Sequence, residues 1–111
     1  MPADRLAGKR ILVTGGNGLI GRRVAGLLAP RAAELWRVHR PDTEPEPDLP
    51  GMPLTLDLLD ANATRAWVGK ADVVVHLAAE SGGIQFPCGA HWHVFSRNHA
   101  MTRAVLEGVR G

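Results

Sequence analysis

The chain has 111 residues, 45% hydrophobic and 22% charged, a composition that fits one small globular domain with no room for a second. Its 13 basic and 11 acidic residues mix along the chain to a net charge of +2, which excludes the clustered basic face of a nucleic-acid binder. No apolar run is long enough to span a bilayer, Met1 to Arg5 form no apolar leader, and Cys88 is the single cysteine; these features predict a cytoplasmic protein with no membrane partner and no internal disulfide.

Lys9–Thr14 is a short apolar, β-branched run, and it reads as a strand buried on both faces. After Gly15-Gly16-Asn17-Gly18 the period lengthens. Leu19, Ile20, Val24, Leu27 and Leu28 recur at helical spacing, with Arg22 and Arg23 on the outer side and Pro30 closing the helix. Glu34–His39 reads as a second strand. Residues 41–53 hold five prolines among several acids, which predicts an extended surface loop without regular structure. Leu54–Leu56 is expected to form a short third strand leading into Asp57, and Ala61–Val68 a brief helix ended near Gly69.

Ala71–Leu77 is the second strong strand, again apolar on both faces. A glycine-rich loop containing Pro87 covers residues 79–90. The last helix carries Val94, Asn98, Met101, Val105 and Val109 along one stripe, with Gly108 and Gly111 fraying its end. Trp36, Trp67 and Trp92 read as core or partly buried residues. Strands that alternate with helices predict a doubly wound parallel α/β sheet. The expected strand order is 3-2-1-4, with a binding crevice at the carboxyl end of the first strand.

The chemistry lies in Gly15-x-x-Gly18-x-x-Gly21, set between a strand and a helix. Gly15 permits a sharp turn off the strand, Gly18 lets the backbone approach a pyrophosphate, and Gly21 lets the helix pack close to the strand. The free N–H groups and positive end of that helix would then face the phosphates. This context makes the fold a Rossmann type, of which the sequence covers an N-terminal, incomplete half.

Val13-Thr14-Gly15-Gly16-Asn17-Gly18-Leu19-Ile20-Gly21 resembles the extended short-chain dehydrogenase/reductase superfamily, the branch that modifies nucleotide-linked sugars. Three further features agree. Asp57-Leu58 is similar to the pair that meets the adenine, His76-Leu77-Ala78-Ala79 to the segment beside the cofactor, and Asn98 with Thr102 to an N-x-x-x-T pattern. The resemblance runs over about residues 9–110 and implies cofactor contacts at Gly15, Gly16, Asn17, Gly18, Leu19, Ile20, Gly21, His39, Arg40, Asp57, Leu58, Leu77, Ala78, Ala79 and Asn98. Ala78 to Ile84 look most like the group containing GDP-fucose synthases and GDP-mannose 3,5-epimerases, which implies that Ser81, Gly82 and Gly83 face a sugar substrate.

An NAD site normally ends its second strand on an acid that binds the ribose hydroxyls. Here that position holds His39, followed by Arg40, and no acid comes before Asp42. The cation favours NADP over NAD, with Arg40 the first partner for a 2′-phosphate and Arg22 or Arg37 behind it. Asp42 swinging back toward a ribose is the alternative.

In the family the acid/base is a Tyr-x-x-x-Lys pair, and this sequence contains no tyrosine. No catalytic residue is assigned, and the sequence reads as a truncated or split family member. An exposed sheet edge would then favour a homodimer or a partner chain. His91-x-His93 with His99 and Cys88 does not suggest a metal site, because residues two apart on a helix face different ways. Ser81 near His76 has neither a nucleophile elbow nor an acid partner. A non-catalytic dinucleotide-binding module, a reductase of small carbonyl compounds and a non-functional remnant stand as alternatives.

Overall fold

Ile11, Leu12 and Val13 have no exposed surface, because the first strand is flanked by a neighbour on each side. The computed structural model describes residues 4–80 and 91–110. In it β1 (Arg10–Thr14) pairs in parallel with β2 (Glu34–His39) on one side and β4 (Val73–His76) on the other. β3 (Met52–Thr55) pairs in parallel outside β2, so the order is β3-β2-β1-β4, the one expected of a Rossmann-type sheet. Asp72 ties the amino ends of β1 and β4. Its carboxylate accepts the Arg10 backbone N–H at 2.9 Å and the guanidinium at 3.1 and 3.2 Å, and its own N–H returns to the Arg10 carbonyl at 2.8 Å.

Alternation along each strand sorts side chains between two layers. Ile11, Val13 and Leu35 face α1 (Leu19–Leu28), where Val24, Ala25 and Leu28 meet them. Leu12, Trp36, Val38 and Val74 face α2 (Ala61–Val68) and α3 (His91–Arg110), packing with Val68, Met101 and Val105. Trp36 meets Trp67 edge to face with centroids 5.8 Å apart. α2 starts cleanly because the Asp60 carboxylate accepts the Ala63 N–H at 3.1 Å.

The structure corrects several expectations. β3 begins at Met52, inside the stretch read as irregular, and Leu56 lies beyond it. Pro53 is tolerated because this is an edge strand and its missing N–H would point away from β2. Lys9, Ala71, Asp72 and Leu77 fall outside β1 and β4.

On α1 the buried residues are Gly21 and Ala25, while Leu19, Ile20 and Leu27 are exposed. The glycine turn presses the small face of the helix onto the sheet, with Val24 and Leu28 at its margin and Leu19, Ile20 and Leu27 turned outward. Gly108 does not fray α3. It is buried against Val68, and Val109 beside it is exposed. Trp92 is 73% exposed and not part of the core, and it stacks on Phe95 with centroids 5.8 Å apart. None of the described helices is long and apolar enough to cross a membrane.

Two glycines test this packing. Alanine at either helical position gains about 1 kcal/mol of helix propensity. At Gly108 the new Cβ would stand 2.7 Å from the Cβ of Val68, whereas at Gly26 it meets nothing within 4 Å. Overpacking costs about 1–3 kcal/mol, which outweighs the propensity gain. Thermal denaturation should show Gly108→Ala lowering the melting temperature and Gly26→Ala raising it; a rise for both would contradict the α2–α3 contact.

Candidate functional site

At the carboxyl end of β1 the chain must turn without a side chain in the way. Gly15 adopts φ of +71°, and a Cβ there would lie 2.9 Å from the Ala78 nitrogen. A Cβ on Gly21 would fall on the Gly15 carbonyl, and one on Gly16 would stand 2.8 Å from the Arg37 Cβ. The turn therefore lies flat between β2, β4 and the start of α1. Gly18, the N-cap of α1, offers no side chain to the helix, and no acid occurs in the first turn. The amides of Leu19, Ile20 and Gly21 have no partner within the helix, so they are free to meet an anion from outside.

Thr14 closes the other wall. Its hydroxyl is fully buried, and it accepts the N–H groups of Leu77 at 3.0 Å and Ala78 at 3.1 Å. Both lone pairs are then taken, so the hydroxyl proton goes to His76 Nδ1, 2.6 Å away. That assigns the His76 proton to Nε2, which donates to the Thr102 hydroxyl at 3.2 Å. Burial holds the His76 ring below the ordinary histidine value, consistent with a neutral imidazole. Farther along, Asn98 grips Glu80: its Oδ1 accepts the Glu80 N–H at 2.7 Å and its Nδ2 donates to the Glu80 carbonyl at 2.9 Å. Arg97 Nε donates to the Glu80 carboxylate at 2.6 Å. Residues 77–80 are thus fastened from β1 at one end and from α3 at the other.

Between these walls lies a cleft of about 660 Å³. Of the residues singled out in the sequence, Gly15, Asn17 and Gly18 line it at the turn, and His39 and Arg40 at the end of β2. Asp57 and Leu58 line it after β3, and Leu77, Ala78 and Ala79 after β4. Gly16, Leu19, Ile20, Gly21 and Asn98 do not line it; the first four shape the turn, and Asn98 holds the Glu80 backbone. Ser81, Gly82 and Gly83 lie outside the described residues.

Thr43, Glu80, Arg97 and Met101 also line the cleft, and the sequence reading did not anticipate them. They sit in loops or on a helix face with no motif of their own, so only the folded chain brings them in. Val38, Leu56 and Leu59 complete its apolar lining.

The cations considered for the ribose end separate clearly. His39 is buried, with its Nδ1 at 3.1 Å from the Arg40 carbonyl and its Nε2 at 3.0 Å from Thr55 Oγ1. Arg37 is buried and turned onto backbone carbonyls of the following loop. Arg22 reaches Glu46 and the Asn17 carbonyl, so neither Arg37 nor Arg22 is on the cleft wall. Arg40 is on that wall and exposed, 3.4 Å from Asp42.

A parallel sheet in this order, a glycine turn at the carboxyl end of its central strand and a cleft beside it define a Rossmann-type nucleotide-binding domain. The chain belongs to the NAD dependent epimerase/dehydratase family, which matches residues 11–111. It is 33% identical over 101 residues to a GDP-L-fucose synthase of Azorhizobium caulinodans, covering 89% of this chain and 28% of that protein. It is 32% identical to a dTDP-4-dehydro-6-deoxy-D-allose reductase of Streptomyces bikiniensis, covering 99% and 36%. Among solved structures, the NAD complex of an Agrobacterium tumefaciens uronate dehydrogenase mutant superposes with a TM-score of 0.73 at 32% identity, covering 94% of this chain and 37% of that one. The chain thus spans about a third of the proteins it matches.

His76 gives the site a pH signature. Above pH 6.5, its ordinary value, the ring is neutral whether the chain is folded or not. Below that, the unfolded chain takes up a proton that the folded chain resists, so stability falls as pH falls from 6.5 toward the lowered folded value. Asp72, held at about 2 by the Arg10 guanidinium, gives a separate loss between its ordinary 3.8 and that value. Urea denaturation should show a declining midpoint from pH 7.5 to 5 that flattens in His76→Asn. An unchanged slope in the variant would remove His76 as its source.

Proposed function

We propose that this chain is the cofactor-holding part of an enzyme that acts on a nucleotide-linked sugar, and that its cofactor is NADP in preference to NAD. The observation that carries the reading is the uncapped start of α1. Its amides face the turn, no acid stands in the first helical turn, and Gly18 brings no side chain between them and a pyrophosphate. In this reading Gly15, Gly16, Asn17 and Gly18, with the amides of Leu19, Ile20 and Gly21, hold the pyrophosphate. Asp57 and Leu58 hold the adenine, and Leu77, Ala78 and Ala79 flank the nicotinamide ribose. Asn98 serves by fixing Glu80. The bound dinucleotide supplies hydride transfer.

The preference for NADP rests on the end of β2. An acid there would repel a 2′-phosphate, and the position holds His39, whose ring is already occupied by Thr55 and the Arg40 carbonyl. Arg40, at the cleft wall, then meets the phosphate in place of Asp42. The sugar substrate is inferred from the relatives, whose names place them on GDP-linked and dTDP-linked sugars. Ser81, Gly82 and Gly83 would meet that sugar. No tyrosine is present among these residues, so a Tyr-x-x-x-Lys proton donor has to be supplied by others.

Titration of the chain with NADPH and NADH, followed by tryptophan quenching, tests the reading. Saturable binding with NADPH tighter is expected. Arg40→Ala should weaken NADPH about tenfold while leaving NADH within about twofold. Binding of NADH alone would refute the 2′-phosphate assignment, and binding of neither would refute the cofactor site.

A further inference from the structure

The crossover from β2 to β3 contains no helix. Residues 40–51 make it, and they include four prolines and four acids. A helix satisfies its own carbonyls, but an irregular segment packed on a sheet must find donors elsewhere. Here one side chain meets four of them. Arg37 projects from the α1 face of β2 and is 2% exposed. Its Nε donates to the Pro50 carbonyl at 2.7 Å, and its Nη2 reaches those of Glu46 and Leu49 at 3.3 Å and Gly51 at 3.4 Å. From the other side, Asn17 Nδ2 donates to the Glu44 carbonyl at 3.0 Å, and Arg22 reaches the Glu46 carboxylate at 3.2 Å. The loop is therefore held between a buried guanidinium and the glycine turn.

Strand packing alone does not account for an arginine at this place. No carboxylate accepts a hydrogen bond from it among the described residues, its Nη1 has no partner, and desolvation lowers its pKa. Burying a charge in this way is expensive, and an apolar residue of similar volume often serves a core at least as well. What the arginine adds is the placement of the loop. That loop begins with Arg40 and Thr43, both on the cleft wall, and Thr43 is bonded to the Arg40 carbonyl through its N–H at 3.1 Å and its hydroxyl at 2.8 Å. The arginine also abuts the glycine turn, since a Cβ on Gly16 would stand 2.8 Å from its own.

We propose that Arg37 is a positioning residue for the cofactor, fixing the helix-free crossover against the glycine turn so that Arg40 and Thr43 form the ribose-side wall of the cleft. This rests on the reading of the cleft as a dinucleotide site. The test compares the chain with Arg37→Met, which keeps an unbranched apolar stem and removes both the charge and the fork, and Arg37→Lys, which keeps charge without the fork. Hydrogen exchange reports on residues 41–51 and on β1, while fluorescence titration with NADPH and NADH reports affinity.

The expected result is faster exchange in residues 41–51 with β1 unchanged, and both cofactors bound about tenfold more weakly by Arg37→Met. Arg37→Lys should recover part of the loss. Wild-type affinity in Arg37→Met would overturn the proposal, as would unchanged loop exchange. Faster exchange in β1 as well, with affinity kept, would reduce Arg37 to a structural residue. Failure of the unaltered chain to bind either cofactor would instead overturn the reading of the cleft.

Discussion

Between Thr14 and Leu19 the chain leaves a buried strand, reverses and starts a helix, and it does so where no Cβ fits. Gly15 lies in the left-handed region with the backbone of Leu77 and Ala78, just beyond β4, against it, and Gly21 sits on the Gly15 carbonyl. This close approach sets the height of α1 on the sheet and decides which of its faces is buried. It also leaves the first helical amides pointing over the end of β1, where β2, β3 and β4 all deliver their loops. The cleft and its electrostatics follow from that one steric condition.

The two faces of the sheet solve the burial problem differently. On one, α2 and α3 interlock through Val68, Gly108, Met101 and Val105, with Trp36 and Trp67 filling the space above β2. That layer gains from apolar area, with each fully buried aliphatic side chain contributing roughly 1.5–3 kcal/mol. On the other, α1 covers only part of the sheet, and an irregular proline-rich crossover packs on β2 through Arg37 and Leu35. There the packing is polar, because a segment without regular structure carries carbonyls that only a donor such as Arg37 can satisfy. The apolar face makes the domain stable, and the polar face holds the loop that carries Arg40 and Thr43 on the cleft wall.

At the carboxyl ends of the strands the polar groups form a connected set with the donors assigned throughout. Thr14 takes two amides and gives its proton to His76, which passes a donor on to Thr102 of α3. Asn98 then fixes Glu80 in the same loop. Each bond alone is worth about 1 kcal/mol. Together they hold the segment after β4 at a fixed distance from the glycine turn, which a long, two-ended ligand requires.

Much of this was legible in the sequence. The strand at residues 34–39, the helix at residues 61–68 and the glycine turn depend on period and on neighbours a few residues apart, which a sequence displays directly, and the order of the sheet follows from the topology that alternating strands and helices adopt. Where residues 41–53 were read as wholly irregular, the proline signal hid a strand edge that tolerates proline. On α1 the periodicity showed an apolar stripe, but the inward side was decided by Gly21 and Ala25; on α3 the stripe does face inward at Met101 and Val105, and Gly108 joins it against Val68. The cleft itself is a long-range construction. Arg37 meets carbonyls up to 14 residues away, Thr14 meets His76 62 residues away, and Arg97 reaches the cleft from a helix. Local preferences determined the elements. Only the folded chain decided which polar groups meet, because each buried donor must find an acceptor wherever the packing brings one.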